Sequence, residues 1–274
     1  MPSTMKLDAS RMAFLSDGSL IAATEDSLVR VDVDRMKVVA KRKASWPVFA
    51  VSPRGALFFA EKNSVVACDP STLSTLGPVG MPAGRGRDAV YLELAVSPTG
   101  EHLAGATEET FHVLHVESKK LVRSSPSYGA KREHIGFVSE SVLCAIRAGV
   151  VQVEPIESDR PTQIATTSFG VAGDGYFVGW DHAANVSIID VSSGQSGTVR
   201  RPSDDDGCQV ALVAGEARAV VSSGSTLLLV DLKKRKVLSK VPRRSPAVLA
   251  VSRGRVALCV DETLEVLSLD QLAS

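Results

Sequence analysis

The sequence predicts an all-β chain of seven four-stranded sheets closed into a ring, and three observations carry that prediction. Short Val-rich segments alternate with Gly, Pro, Asp and Ser along all 274 residues, a composition of brief strands joined by turns. Few segments keep an apolar 3.6-residue period beyond two turns, so helices are not expected. One phrase, consisting of strand, Ser–Gly turn, strand, acidic or Gly turn and strand, recurs seven times.

Two markers set its period. The turn serine or its equivalent stands at Ser16, Ser52, Ser97, Ser139, Ala172, Ala214 and Ser252, six steps that average about 39 residues. A second marker closes the third strand at Asp32, Asp69, His115, Glu154, Asp190, Asp231 and Ser268, again about 39 residues apart. Two independent markers holding one period point to the repeat of a β-propeller blade, four strands in about 40 residues.

Taken in order, the first blade spans 11–45, with its turn at Phe14-Leu-Ser-Asp-Gly18 and its fourth strand at Lys37-Val-Val-Ala-Lys-Arg-Lys43. The second, 46–81, carries the clear copy Phe49-Ala-Val-Ser-Pro-Arg-Gly55. The longest insertion follows, because Asp69 and His115 are 46 residues apart. It holds Gly84-Arg85-Gly86-Arg87, but a strand, Val90-Tyr-Leu-Glu-Leu-Ala95, comes next. A phosphate-cradling turn opens a helix instead, so this segment reads as a loop. Blade three, 89–128, repeats the phrase at Leu94-Ala-Val-Ser-Pro-Thr-Gly100. Blades four to six, 132–168, 169–204 and 208–245, register at Val138-Ser139, Val171-Ala172 and Val213-Ala214. The seventh, 246–274, stops directly after its third strand. Residues 4–10 supply the missing strand, since an open ring would leave a raw strand edge. The expectation is a single domain, 1–274, latched by both termini.

The phrase from Leu94 to Ala106, followed by Phe111-His-Val-Leu-His-Val-Glu-Ser-Lys-Lys120, resembles the WD40-like and YVTN-type propeller repeats over essentially the whole chain. The recurring Gly-His and Trp-Asp pairs of WD40 repeats are missing; Trp180-Asp181 is the one such dipeptide, and it falls between the second and third strands. The resemblance implies an interaction platform, with some enzymes among the relatives.

Composition narrows the function. With 31 basic and 31 acidic side chains the net charge is zero, which removes the simplest argument for a polyanion binder. Met1 to Arg11 contain no apolar run and no stretch approaches a spanning helix, so neither a secretory signal nor membrane insertion is expected. Cys68, Cys144, Cys208 and Cys259 fall in different blades without a Cys-x-x-Cys. A cytoplasmic location, with thiols acting as small buried hydrophobes, follows.

A catalytic site is not expected, nor a cofactor or metal. Innermost strands line the channel of a propeller, and the column Met12, Val48, Glu93, Ile135, Ser168, Val210 and Val248 holds one ionisable residue. The opposite parity reads as equally apolar. Glu93 with His134 and Glu133 is the sole acid–base grouping that can be assembled for an enzyme of the lactonase or lyase kind. His112 and His115, three apart on one strand, point to opposite faces and read as half-exposed strand residues.

The loops from each fourth strand to the next blade emerge on one rim, and they are basic. They include Lys41-Arg42-Lys43, Arg85 with Arg87, Lys131-Arg132, Arg200-Arg201 and Arg243-Arg244, with Trp46, Tyr91 and Tyr128 among them. Trp, Tyr and Arg are the composition of an interaction hot spot. The turns between second and third strands share this face and are acidic, as at Glu25-Asp26, Glu61 and Glu108-Glu109. A mixed, protein-binding face is therefore expected ahead of a nucleic-acid one. The partner-binding set is Trp46, Arg85, Arg87, Tyr91, Tyr128, Lys131, Arg132, Arg201, Arg243 and Arg244. The function expected is a non-catalytic scaffold or a subunit of a cytoplasmic assembly. A small-molecule enzyme and a ligand-sensing propeller are the alternatives.

Overall fold

The computed structural model describes residues 3–61, 64–82, 90–126, 132–158, 160–167, 169–180, 185–201, 208–243, 248–252 and 254–273. It forms seven four-stranded antiparallel sheets; in six of them the strands pair in sequence order, and in the seventh the N-terminal strand pairs with the last strand of the chain. The innermost strands run Arg11–Phe14, Phe49–Val51, Glu93–Val96, Arg132–Ser139, Phe169–Gly173, Gln209–Leu212 and Val248–Val251. Each lies against its neighbours around the ring, so the sheets stand as blades about a central channel. The chain is thus a seven-bladed β-propeller.

Both sequence markers have a physical cause. The carboxylate of Asp32 accepts the backbone N–H groups of Asp34 and Arg35, that of Asp69 those of Ser71 and Thr72, and that of Asp190 those of Ser192 and Ser193. Asp231 accepts from Lys234, and in blade three the ring Nδ1 of His115 accepts from Ser118. In these five blades the marker is therefore the acceptor that caps the turn into the outer strand, whereas Glu154 of blade four is a buried partner of Arg123. Four residues on, Met36, Leu73, Lys119 and Arg235 all adopt left-handed backbone, a conformation the capped turn imposes on non-glycine residues. The Ser–Gly marker works between blades. A Cβ on Gly55 would stand 2.6 Å from the hydroxyl of Ser16, and one on Gly100 would stand 3.3 Å from the Cβ of Ser52. Small residues on both sides let the turns of blades two and three press on the turn before them.

Seven buried apolar clusters occupy the described residues, one at each blade–blade junction. At the closure, Ser3–Lys6 pairs antiparallel with Thr263–Ser268, Met5 lying opposite Leu264. Leu7 and Ala9 are buried with Met12 and Leu20 of blade one and with Ala257, Cys259 and Leu264 of blade seven. The Leu7 amide donates to Glu262 O, the Cys259 thiol to Leu7 O, and Arg255 to Asp34 across the seam at 2.7 Å. After the last strand, a four-residue helix, Asp270–Ala273, buries Leu272 at the blade six–seven junction. No described helix is long and apolar enough to cross a membrane.

Candidate functional site: the channel mouth and its rim

A cavity of about 650 Å³ opens where the innermost strands begin, within the size range of ligand pockets. Blades one, three and four give it a polar side, made of Arg11, Glu93 and His134. Blades five to seven give it an aromatic and aliphatic side that includes Phe169, Trp180, Val210 and Leu249. Trp46 stands at its edge.

The polar side is a chain of contacts. Arg11 Nη2 donates a short hydrogen bond to Glu93 Oε2. The two residues belong to blades one and three, so the bond passes over blade two. The Glu93 side chain is 15% exposed, a depth at which a carboxylate needs a counter-charge to remain in place. Its other oxygen, Oε1, lies 3.9 Å from His134 Nδ1. The His134 ring meets Phe169 edge-on at 6.1 Å, and Phe169 stacks on Trp180 at 5.9 Å with planes 17° apart. Ser10, the one hydroxyl among the described lining residues, donates to Ala23 O, and Glu93 is committed to a guanidinium. Among the described residues no group of three His, Cys, Asp or Glu side chains is placed to hold a metal.

The cavity corrects the expectation that the alternate parity of the inner strands is as apolar as the first. Arg11 and His134 come from that parity and meet Glu93 from the other. In blade four, register shifts between Arg132 and His134 and between Phe137 and Ser139 interrupt the regular pairing of the inner strand that carries the histidine. Sequence spacing carries no mark of a contact between residues 82 positions apart.

The predicted rim residues separate. Trp46 is 67% exposed and has φ +48°, an uncommon conformation for a bulky side chain. Tyr91 is fully buried. It packs over Gly105, where a Cβ would stand 2.7 Å from its ring, and its hydroxyl donates to Pro82 O. Tyr91 therefore anchors the insertion and is no surface contact. Arg201 is buried too, at 3% exposure. Arg243 pairs with Glu265 of the next blade at 3.7 Å, and Arg132 opens the inner strand of blade four. Arg85, Arg87, Tyr128, Lys131 and Arg244 lie outside the described residues.

Two further rim cations are also engaged. Lys41 lies 3.6 Å from Asp26. Arg42 bonds Glu61 at 3.0 Å, Leu73 O and Thr75, with its guanidinium 4.9 Å above the Phe59 ring. Basic loop and acidic turn thus neutralise one another at these places.

A second polar cluster sits at the turns between first and second strands of blades three and four. Glu140 accepts hydrogen bonds from the Ser97 hydroxyl at 2.5 Å, the Thr99 amide at 2.9 Å and His102 Nδ1 at 2.9 Å. Burial opposes ionisation of Glu140, but these donors outweigh it and pull its pKa down to about 2. The trio is not a nucleophile with its base. The buried hydroxyl sends its proton to the carboxylate, and the imidazole bonds the same carboxylate. His115, facing His102 across the strand pair with ring centres 5.3 Å apart, completes the group. His112 is not half-exposed but buried, and desolvation lowers its pKa. Burial likewise raises the Cys144 thiol, to about 12, as expected of an inert core cysteine.

No protein-family model matches the chain, and no curated protein matches it in sequence. Solved structures do match it in fold. The structure of U3-55K is 13% identical at a TM-score of 0.77, over 97% of this chain and 96% of that one. The RRP9 WD40 repeats are 12% identical at 0.78, over 96% and 95%. A chain of the mitotic checkpoint complex is 13% identical at 0.75, over 98% and 94%. The structure is a seven-bladed propeller whose neighbours are WD40 repeat proteins.

Proposed function

We propose that this chain is a non-catalytic scaffold that holds a partner protein against the face bearing the channel mouth. Trp46 carries the reading. A solvent-exposed tryptophan in left-handed backbone costs stability and buries little, a combination found where strain serves a contact. Large aromatic side chains are the usual anchors of protein interfaces. The WD40 neighbours support the same class of function, one of them having been solved within a multiprotein complex. The ion pairs between rim loops and turns leave a face of mixed charge, suited to a protein more than to a polyanion. A cytoplasmic setting belongs to this reading and fits four free, buried cysteines.

The test is capture of partners by the full-length tagged chain, followed by reconstitution with the purified partner. Trp46→Gly should lower capture about tenfold or more while leaving the melting temperature unchanged or raised, because glycine tolerates the positive φ. Undiminished binding by this variant removes Trp46 as the anchor. A monomer that hydrolyses lactones and recruits no partner overturns the scaffold.

A further inference from the structure

We infer that the channel mouth receives an arginine side chain of the partner, which bonds Glu93 and lies against the Phe169–Trp180 pair. This inference rests on the docking reading above and names the chemistry of that same face.

Four observations converge on it. Glu93 is the one acid among the described residues lining the cavity. Its Oε2 already holds a guanidinium, that of Arg11, so the geometry of a carboxylate–guanidinium bond is realised at this spot. Its Oε1 has no hydrogen bond among the described residues, with His134 Nδ1 at 3.9 Å, so a second donor completes the carboxylate without displacing Arg11. The aromatic wall then begins one side chain away, with His134 against Phe169 and Phe169 on Trp180. Phe169 is 38% exposed.

Arginine is the side chain that meets both demands. Its planar fork bonds a carboxylate through N–H donors while its face stacks on an aromatic ring. Lysine makes a point contact with the carboxylate but has no plane to stack. An aspartate or glutamate could pair with Arg11, but the negative faces of the aromatic rings repel a carboxylate and attract a guanidinium. Apolar residues of blades five to seven then cover the methylene stem of the incoming side chain.

The experiment uses the full chain and three synthetic pentapeptides, Gly-Ser-Xaa-Ser-Gly with blocked ends, where Xaa is arginine, citrulline or glutamate. Binding is read from tryptophan emission, since Trp46 and Trp180 both border the cavity. The arginine peptide should saturate, and the citrulline peptide, which keeps shape but loses charge, should bind about tenfold more weakly. Glu93→Gln, which still offers Arg11 an acceptor, should impose about the same tenfold loss on the arginine peptide. Equal binding of arginine and citrulline peptides overturns the inference. So does preference for the glutamate peptide, or no saturable arginine binding. If Glu93→Gln fails to fold, the arginine–citrulline comparison on the unaltered protein still decides. Failure here with Trp46-dependent partner capture intact removes the arginine assignment alone. Loss of the Trp46 effect removes the docking reading instead.

Discussion

The junction between blades three and four and the junction between blades seven and one hold neighbouring sheets together in different ways. The first is rich in charge. Arg123 of the outer strand of blade three pairs with Glu154 of blade four at 3.2 Å, both deeply buried, and donates to Pro155 O. At the turn between first and second strands the Glu140 cluster ties the same two blades again. The second junction joins the chain's two ends through four residues of strand pairing and a mainly apolar cluster. Its cross-blade ion pair, Arg255 with Asp34, stands at the surface. The lesson concerns failure. A junction made of buried charge is costly to half-dismantle, because the surviving ion is left in a poor solvent. An apolar junction loses stability in proportion to the side chain removed.

That comparison can be broken by measurement. Arg123→Ala should destabilise the protein most, by about 3–5 kcal/mol, since it takes the guanidinium away from the buried Glu154 carboxylate. Replacing both partners together, as Arg123→Met with Glu154→Leu, should restore most of the loss in denaturant unfolding. If the double variant is no better than the single one, buried charge is not what distinguishes the junction. At the closure, Leu7→Ala should cost about 2–4 kcal/mol and raise hydrogen exchange in Ser3–Lys6 and Thr263–Ser268 ahead of the rest. Uniform exchange would show that the seam does not open first.

The smallest effect is expected at Glu140. Glu140→Gln should cost about 2 kcal/mol at neutral pH, the worth of hydrogen bonds to a charged acceptor. The sign in acid follows from its lowered pKa. Stabilisation by this carboxylate is complete above the unfolded carboxylate's ordinary value of 4.5 and is lost as pH falls towards about 2. The unaltered protein should therefore lose stability over that window more steeply than the variant. Parallel acid profiles would assign the acid sensitivity elsewhere.

How far the site was legible in the sequence varies residue by residue. Trp46 is legible as an exposed side chain because it sits in a loop beside Pro47, between two strands. Tyr91 is not, because its fate depends on Gly105, a residue of the adjacent strand that leaves space for the ring. Glu93 stands out as the lone acid of an apolar column, yet its partners do not. Arg11 and His134 reach it from other blades. Glu140 gives no signal at all, since Ser97 and His102 lie in the preceding blade.

By itself the sequence determined the ring: the number of blades, the turn chemistry that repeats with them, and the strand exchange that closes the last one. These are properties of local periodicity, where an Asp four residues before a left-handed turn or a Ser–Gly pair acts within or beside its own repeat. Only the tertiary structure decided which charges meet. Closing a toroid brings together side chains from non-adjacent blades, and no local pattern encodes the height or rotation at which one inner strand presents its residues to another.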